Sequence, residues 1–188
     1  MTQILITPPS LMPITLDRAR LALRIDDDDF HLDDEITAFI VGVTQEAEDT
    51  IGQAIMPQTW RVIVDGWGDE GVPLVHPVRS VVSVAYRNEN GVVTTLDASN
   101  YRLLVERYES HLVAANGVTL PTTEASADAV TVEVIAGMAE TQADVPPAIV
   151  LYMVQRIKQQ FDPAARVERD TVQSNYTESL IQQFKVKP

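Results

Sequence analysis

Residues 51 to 64 read IGQAIMPQTWRVIV, and within them the apolar spacing changes from about 3.6 residues to 2, from helix to strand. On the upstream side, Ile36, Phe39, Ile40, Val43, Ala47 and Ile51 form the buried stripe of a long helix. It begins at Asp33 or Asp34, whose side chains can cap it, and ends at Gly52 to Pro57, where glycine and proline disfavour continuation. On the downstream side Trp60 to Val64 alternates, as does Val81 to Tyr86, with β-branched residues dominating. Further strands are expected at Val92 to Leu96, Tyr101 to Val105, His111 to Ala114 and Val130 to Ile135, and Asn90-Gly91 is a tight-turn signal between two of them. Six short strands with polar turns predict an antiparallel sheet or small barrel.

Helix flanks this β segment on both sides. Thr15 can cap a short helix from Leu16 to Ile25, with Leu16, Ala19 and Leu23 on one face. Asp26 to Asp29 stop it, because four adjacent carboxylates repel one another and sit badly at the negative end of a helix dipole. After Val145-Pro146-Pro147 the helical period returns through Ile149, Val150, Met153, Val154, Ile157 and Phe161, until Asp162-Pro163 breaks it. Residues 164 to 188 are polar, apart from a few apolar residues that include Tyr176, Leu180 and Phe184 at i, i+4 and i+8. The fold class predicted is α+β: an α-helical bundle of two N-terminal helices, one long C-terminal helix and a tail, with an inserted antiparallel β domain. Residues 1–56 and 145–188 would form the helical core and residues 57–144 the insertion.

Composition narrows the function. The chain of 188 residues is 45% hydrophobic, enough for an ordinary core, and has no cysteine, which excludes disulfides, thiolate zinc sites and thiol nucleophiles. The first ten residues lack a secretory signal pattern, and no stretch approaches the ~18 apolar residues of a membrane span. A soluble protein made in a cytoplasm is expected. The net charge of -13 opposes tight binding to a phosphate backbone. It is also unevenly spread: residues 1–144 hold 8 basic and 23 acidic side chains, whereas residues 145–188 hold 6 and 4. Such asymmetry suits head-to-tail contact between copies, and it also suits mere solubility.

Candidate chemistry is sparse. Asp26, Asp27, Asp28, Asp29, Asp33, Asp34 and Glu35 crowd one loop, but an EF-hand counted from Asp26 would need glycine and glutamate where His31 and Thr37 stand. Asp65, Asp69 and Glu70 lie near Trp60 and Trp67, which could suggest a sugar site, although Gly66, Gly68 and Gly71 more simply mark a loop. His31, His76 and His111 lack ligand spacing and read as structural. No nucleophile elbow, phosphate loop or dinucleotide fingerprint occurs, so no enzyme and no cofactor is expected.

Several segments in order resemble the head-tail connector (adaptor) proteins of long-tailed double-stranded DNA phages and prophages. Residues 14–25 (ITLDRARLALRI), the acidic residues after them and residues 34–40 (DEITAFI) are similar to that family's first helix, aspartate-rich loop and second helix. Residues 46–60 resemble the end of that helix and the first insertion strand, residues 74–84 (LVHPVRSVVSV) a "Pro-Val-x-Ser-Val" strand, and residues 132–149 the closing strand and last long helix. Specificity lies in the order of these segments, not in any single motif, and residues 166–184 depart most from the pattern.

The resemblance implies a structural virion protein at the head-tail interface, assembled in the bacterial host cytoplasm. It would form a ring of twelve subunits under the portal protein, with a downstream connector, stopper or tail protein below and genomic DNA passing through. The isolated chain would stay monomeric until a partner or concentration drives assembly. Two site expectations follow. The seven carboxylates from Asp26 to Glu35 would line or rim a DNA-repelling channel. The tail, through Arg166, Arg169, Tyr176, Leu180, Phe184 and Lys185, would order on docking to a partner. A β-rich carbohydrate-binding or hydrolytic module of a phage tail and another tail-completion protein are the competing readings.

Overall fold

A computed structural model describes residues 1–26, 30–161 and 170–186. The fold is α+β, and the chain divides into two compact units: Met1–Ser10 with Pro57–Met138, and Leu11–Met56 with Ala139–Pro188.

The first unit is β. Its larger sheet has the order β1-β2-β8-β4-β5, from β1 (Thr2–Thr7), β2 (Gln58–Val64), β8 (Val130–Ala136), β4 (Val78–Arg87) and β5 (Val93–Thr95). Its smaller sheet has the order β3-β7-β6, from β3 (Val72–Leu74), β7 (Ser110–Ala114) and β6 (Tyr101–Val105). All described pairings are antiparallel. The period-2 residues explain the packing: β8 buries Val130, Val132 and Val134 against Val64, Val62 and Trp60 opposite them on β2. These side chains share a core with Val84, Val72, Leu74 and Leu112, so both sheets close over one apolar interior. On the other face of the same register, Arg61 reaches Glu133 at 2.7 Å. Asn90-Gly91 makes the β4–β5 turn as expected, with Gly91 at φ +73° and the Asn88 side chain accepting from the Asn90 and Val92 amides.

The second unit is helical. Thr15 caps α1 (Leu16–Leu23), its hydroxyl accepting from the Arg18 amide at 3.1 Å. The helix ends before the aspartates, at Arg24, which is left-handed at φ 60° while Ile25 and Arg24 donate to the carbonyls of Arg20 and Leu21. Helix α2 (Asp33–Ile51) buries Ile36, Ile40, Val43, Thr44, Ala47 and Ile51 and stops at left-handed Gly52. Its cap position is Leu32, with no side-chain cap, so neither Asp33 nor Asp34 plays the capping role the sequence suggested. Helix α3 (Pro147–Phe161) buries Ile149, Val150, Tyr152, Met153 and Ile157. Helix α4 (Asp170–Gln182) buries Thr177 and Ile181.

Two boundaries and the strand count differ from expectation. The first ten residues belong with the β unit, because Thr2–Thr7 pairs along β2. Residues 139–144 belong with the helical unit, held by Ala139 donating to the Ile55 carbonyl at 2.9 Å and Gln142 to that of Met12 at 2.9 Å. The strands are eight among the described residues, not six: β1 and β3 were not anticipated.

Candidate functional site

The acidic loop is organised from α1. Arg20, only 5% exposed, donates to both carboxylate oxygens of Asp33 at 3.0 and 3.2 Å and to the Asp26 carbonyl at 2.7 Å. Its guanidinium carbon lies 4.8 Å from the centroid of the Phe30 ring, a cation–π contact. One cation from the preceding helix thus holds the loop's entry, its exit and an aromatic between them. Asp33 is consequently half-buried and paired, whereas the side chains of Asp26, Asp34 and Glu35 are exposed. Asp27, Asp28 and Asp29 lie outside the described residues. Among the described residues, three carboxylates of this loop therefore present charge to solvent, and no group of three or more His, Asp or Glu side chains could hold a metal ion.

The tail residues are placed differently from the sequence reading. Among the described side chains of α4, Thr177 and Ile181 are the buried pair, 2% and 1% exposed, about 100° round the helix from Tyr176 and Leu180. Leu180 and Phe184 are half-buried, and Tyr176 is 54% exposed. The end of the chain is tied to α2: Gln53 donates to the Phe184 carbonyl and Val186 donates to the Ile51 carbonyl at 2.8 Å. The described part of the tail thus packs on its own chain through Thr177 and Ile181. Tyr176 and Lys185 remain exposed; Arg166 and Arg169 lie outside the described residues.

The helices that carry this tail are joined by a polar knot. Glu46 on α2 accepts from Arg156 and, at 3.1 Å, from the Tyr152 hydroxyl, both on α3. Burial, reinforced by the Glu46 carboxylate, pushes the Tyr152 hydroxyl up to about 12. Arg156 also donates to Gln159 at 3.1 Å and feels Glu178 on α4.

The alternative sugar-site residues are not gathered for chemistry. Trp67 donates to the Pro121 carbonyl at 2.8 Å and packs on Tyr86 at 5.8 Å between ring centroids, within the β core. Asp65 accepts from the Asp128 amide at 3.2 Å, and Asp69 and Glu70 are exposed. Trp60 packs into the same core, its indole nitrogen buried without a hydrogen-bond partner among the described residues. His76 is buried with Ser110, whose hydroxyl lies 2.9 Å from Nδ1 and accepts from the Val78 amide at 3.3 Å. Desolvation holds this imidazole below its ordinary range. The pair is buried, and among the described residues no carboxylate is hydrogen-bonded to it in a triad.

No family model matches the chain, and no curated protein matches its sequence. Among solved structures, it is similar to a chain from the neck of an empty GTA particle computed with C6 symmetry (TM-score 0.79, 16% identity). It is also similar to chains from the virion of a native gene transfer agent (GTA) particle (TM-score 0.81, 16% identity) and from the neck of a native GTA particle computed with C12 symmetry (TM-score 0.73, 18% identity). In each case the match covers 100% of this chain and 97% of the other. At these identities the likeness establishes a shared α+β fold over both units.

Proposed function

We propose that this chain is a structural virion protein of a phage-like particle neck: a head-tail adaptor that forms a ring under the portal protein, joins capsid to tail and lets genomic DNA pass. The observation that carries the reading is the end-to-end similarity, in both directions, to chains from gene transfer agent necks and virions. Neck structures computed with C6 and C12 symmetry support a closed ring, and twelve copies is the number proposed here. The partners are the portal protein above and a connector, stopper or tail protein below, and the chain catalyses nothing.

The charge distribution gives this role a mechanism. A wall that carries negative charge repels DNA and lets it slide without sticking, the electrostatic opposite of a binding groove. Asp26, Asp34 and Glu35 are described loop carboxylates that would supply the field together with Asp27, Asp28 and Asp29; Asp33, neutralised by Arg20, would set the loop's shape instead. Docking to a partner would fall to the exposed part of the tail, Tyr176 and Lys185, with Arg166 and Arg169 beside them in sequence. Leu180 and Phe184, spaced along the same side as Tyr176, would flank that surface.

The test is stoichiometric assembly with portal rings, followed by electron microscopy and co-sedimentation. The wild-type chain should add a layer beneath the portal, and Tyr176→Asp/Lys185→Glu should bind at least tenfold more weakly with unchanged helical circular dichroism. Absence of any portal-bound layer would remove the adaptor reading. Full binding by the double variant would remove the tail's docking role alone.

A further inference from the structure

The larger β sheet ends in two free strands that differ from the rest of the chain in charge. Strand β1 has all six residues exposed, with Ile4, Leu5 and Ile6 each more than 40% accessible, and its outer side has no partner among the described residues. No Asp, Glu, Lys or Arg occurs before Asp17. Strand β5 closes the opposite side of the same sheet and is likewise uncharged from Gly91 to Leu96, with Val92 and Val93 56% and 63% exposed. Free sheet edges offer unpaired backbone donors and acceptors, and proteins ordinarily blunt them with charged side chains. Neither strand here carries a charge.

We propose that the β1 edge of one copy pairs with the β5 edge of the next copy of this chain, so that the sheet continues from subunit to subunit. The proposal rests on the ring reading above. A head-to-tail ring needs two different surfaces that fit each other, and two edges of one sheet do so through their backbones. Charge selects a second copy as the occupant. Each chain carries -13, so copies repel wherever acidic surfaces meet, and two uncharged strands are where contact avoids that repulsion. Three residues of β5 limit each ladder to a few hydrogen bonds. Such a contact is weak between two copies and accumulates when a ring closes.

The absence of cysteine makes the contact readable by cross-linking. Ile6→Cys/Val93→Cys, treated with a short bis-maleimide and run on a denaturing gel, should give a ladder extending past the dimer, with at least tenfold more product than the exposed control pair Asp69→Cys/Glu106→Cys. Each single variant should stay monomeric, because a β1-to-β5 contact holds only one of the two cysteines. Dimers from Ile6→Cys alone would mean β1 pairs with β1, which overturns the proposal, as would double-variant product no greater than the control. Electron microscopy of the unmodified chain with portal separates the two readings. Rings without a ladder overturn the edge contact and leave the ring; a ladder without rings supports the contact and removes the ring.

Discussion

Replacing Arg20 with methionine keeps most of the side chain's length and apolar stem while deleting the charge that gathers the acidic loop. Three things are lost: the hydrogen bonds to Asp33, the bond to the Asp26 carbonyl and the contact with Phe30. Removing one partner of a buried ion pair costs about 3–5 kcal/mol, and because the Asp33 side chain keeps 26% of its exposure, water recovers part of that and leaves about 2–3 kcal/mol. With a urea slope of about 2 kcal/mol/M, the midpoint of unfolding should fall by about 1 M. Helical circular dichroism is the appropriate probe, since α1 and α2 lie in the helical unit, while Trp60 and Trp67 make fluorescence a reporter of the β unit. A double-mutant cycle with Asp33→Asn isolates the pair and should return a coupling energy of about 1–2 kcal/mol. A loss under about 0.5 kcal/mol for Arg20→Met, or a coupling energy indistinguishable from zero, would refute the claim that this arginine organises the loop.

Glycine substitutions separate two backbone roles. Gly42→Ala, in the interior of α2 with no atom within 4 Å of an added Cβ, should stabilise the chain by about 0.5–1 kcal/mol in thermal unfolding. Gly71→Ala should destabilise it severely, because the residue sits at φ +92° and its Cβ would lie 2.5 Å from the Leu112 carbonyl oxygen. The Tyr152 hydroxyl, raised to about 12 in the folded chain, binds its proton more tightly than in the unfolded chain. Its contribution is therefore complete below about pH 10 and is lost as pH rises toward 12, and Tyr152→Phe should flatten that decline in a pH series of denaturation midpoints. His76 has the opposite sense, since its lowered value means the folded β unit resists protonation. Stability should fall as pH drops below about 6.5, and His76→Gln should reduce the slope of tryptophan-monitored unfolding against pH.

Local signals with a buried consequence were legible in the sequence. Thr15 preceding Leu16, Gly52 after a helical stripe, and the alternation of Val130 to Ala136 each name an element because one residue type does one physical job there. Strand β1 escaped because its side chains are all exposed, so it shows no in-out alternation. Its β-branched run ending in Pro8-Pro9 was the available signal. Strand β3 is three residues with proline at its centre, tolerable because it edges the smaller sheet. The candidate site was harder to read. Asp33 carries the local pattern of a helix cap, but its partner stands 13 residues upstream, and local propensity does not encode that pairing. In and just after α4, Tyr176, Leu180 and Phe184 formed the longest apolar series, yet among the described side chains the shorter Thr177–Ile181 pair is the one buried. The long series contains a tyrosine that tolerates solvent, and packing against α3 selected the other face.

The most direct measurement of the central claim is a cryo-electron microscopy reconstruction of the neck of the particle that carries this chain. The account predicts a closed ring of twelve copies directly beneath the portal, its channel wall presenting Asp26, Asp34 and Glu35 toward the DNA. Copies placed elsewhere in the particle, or a ring whose acidic loops all face outward, would contradict it.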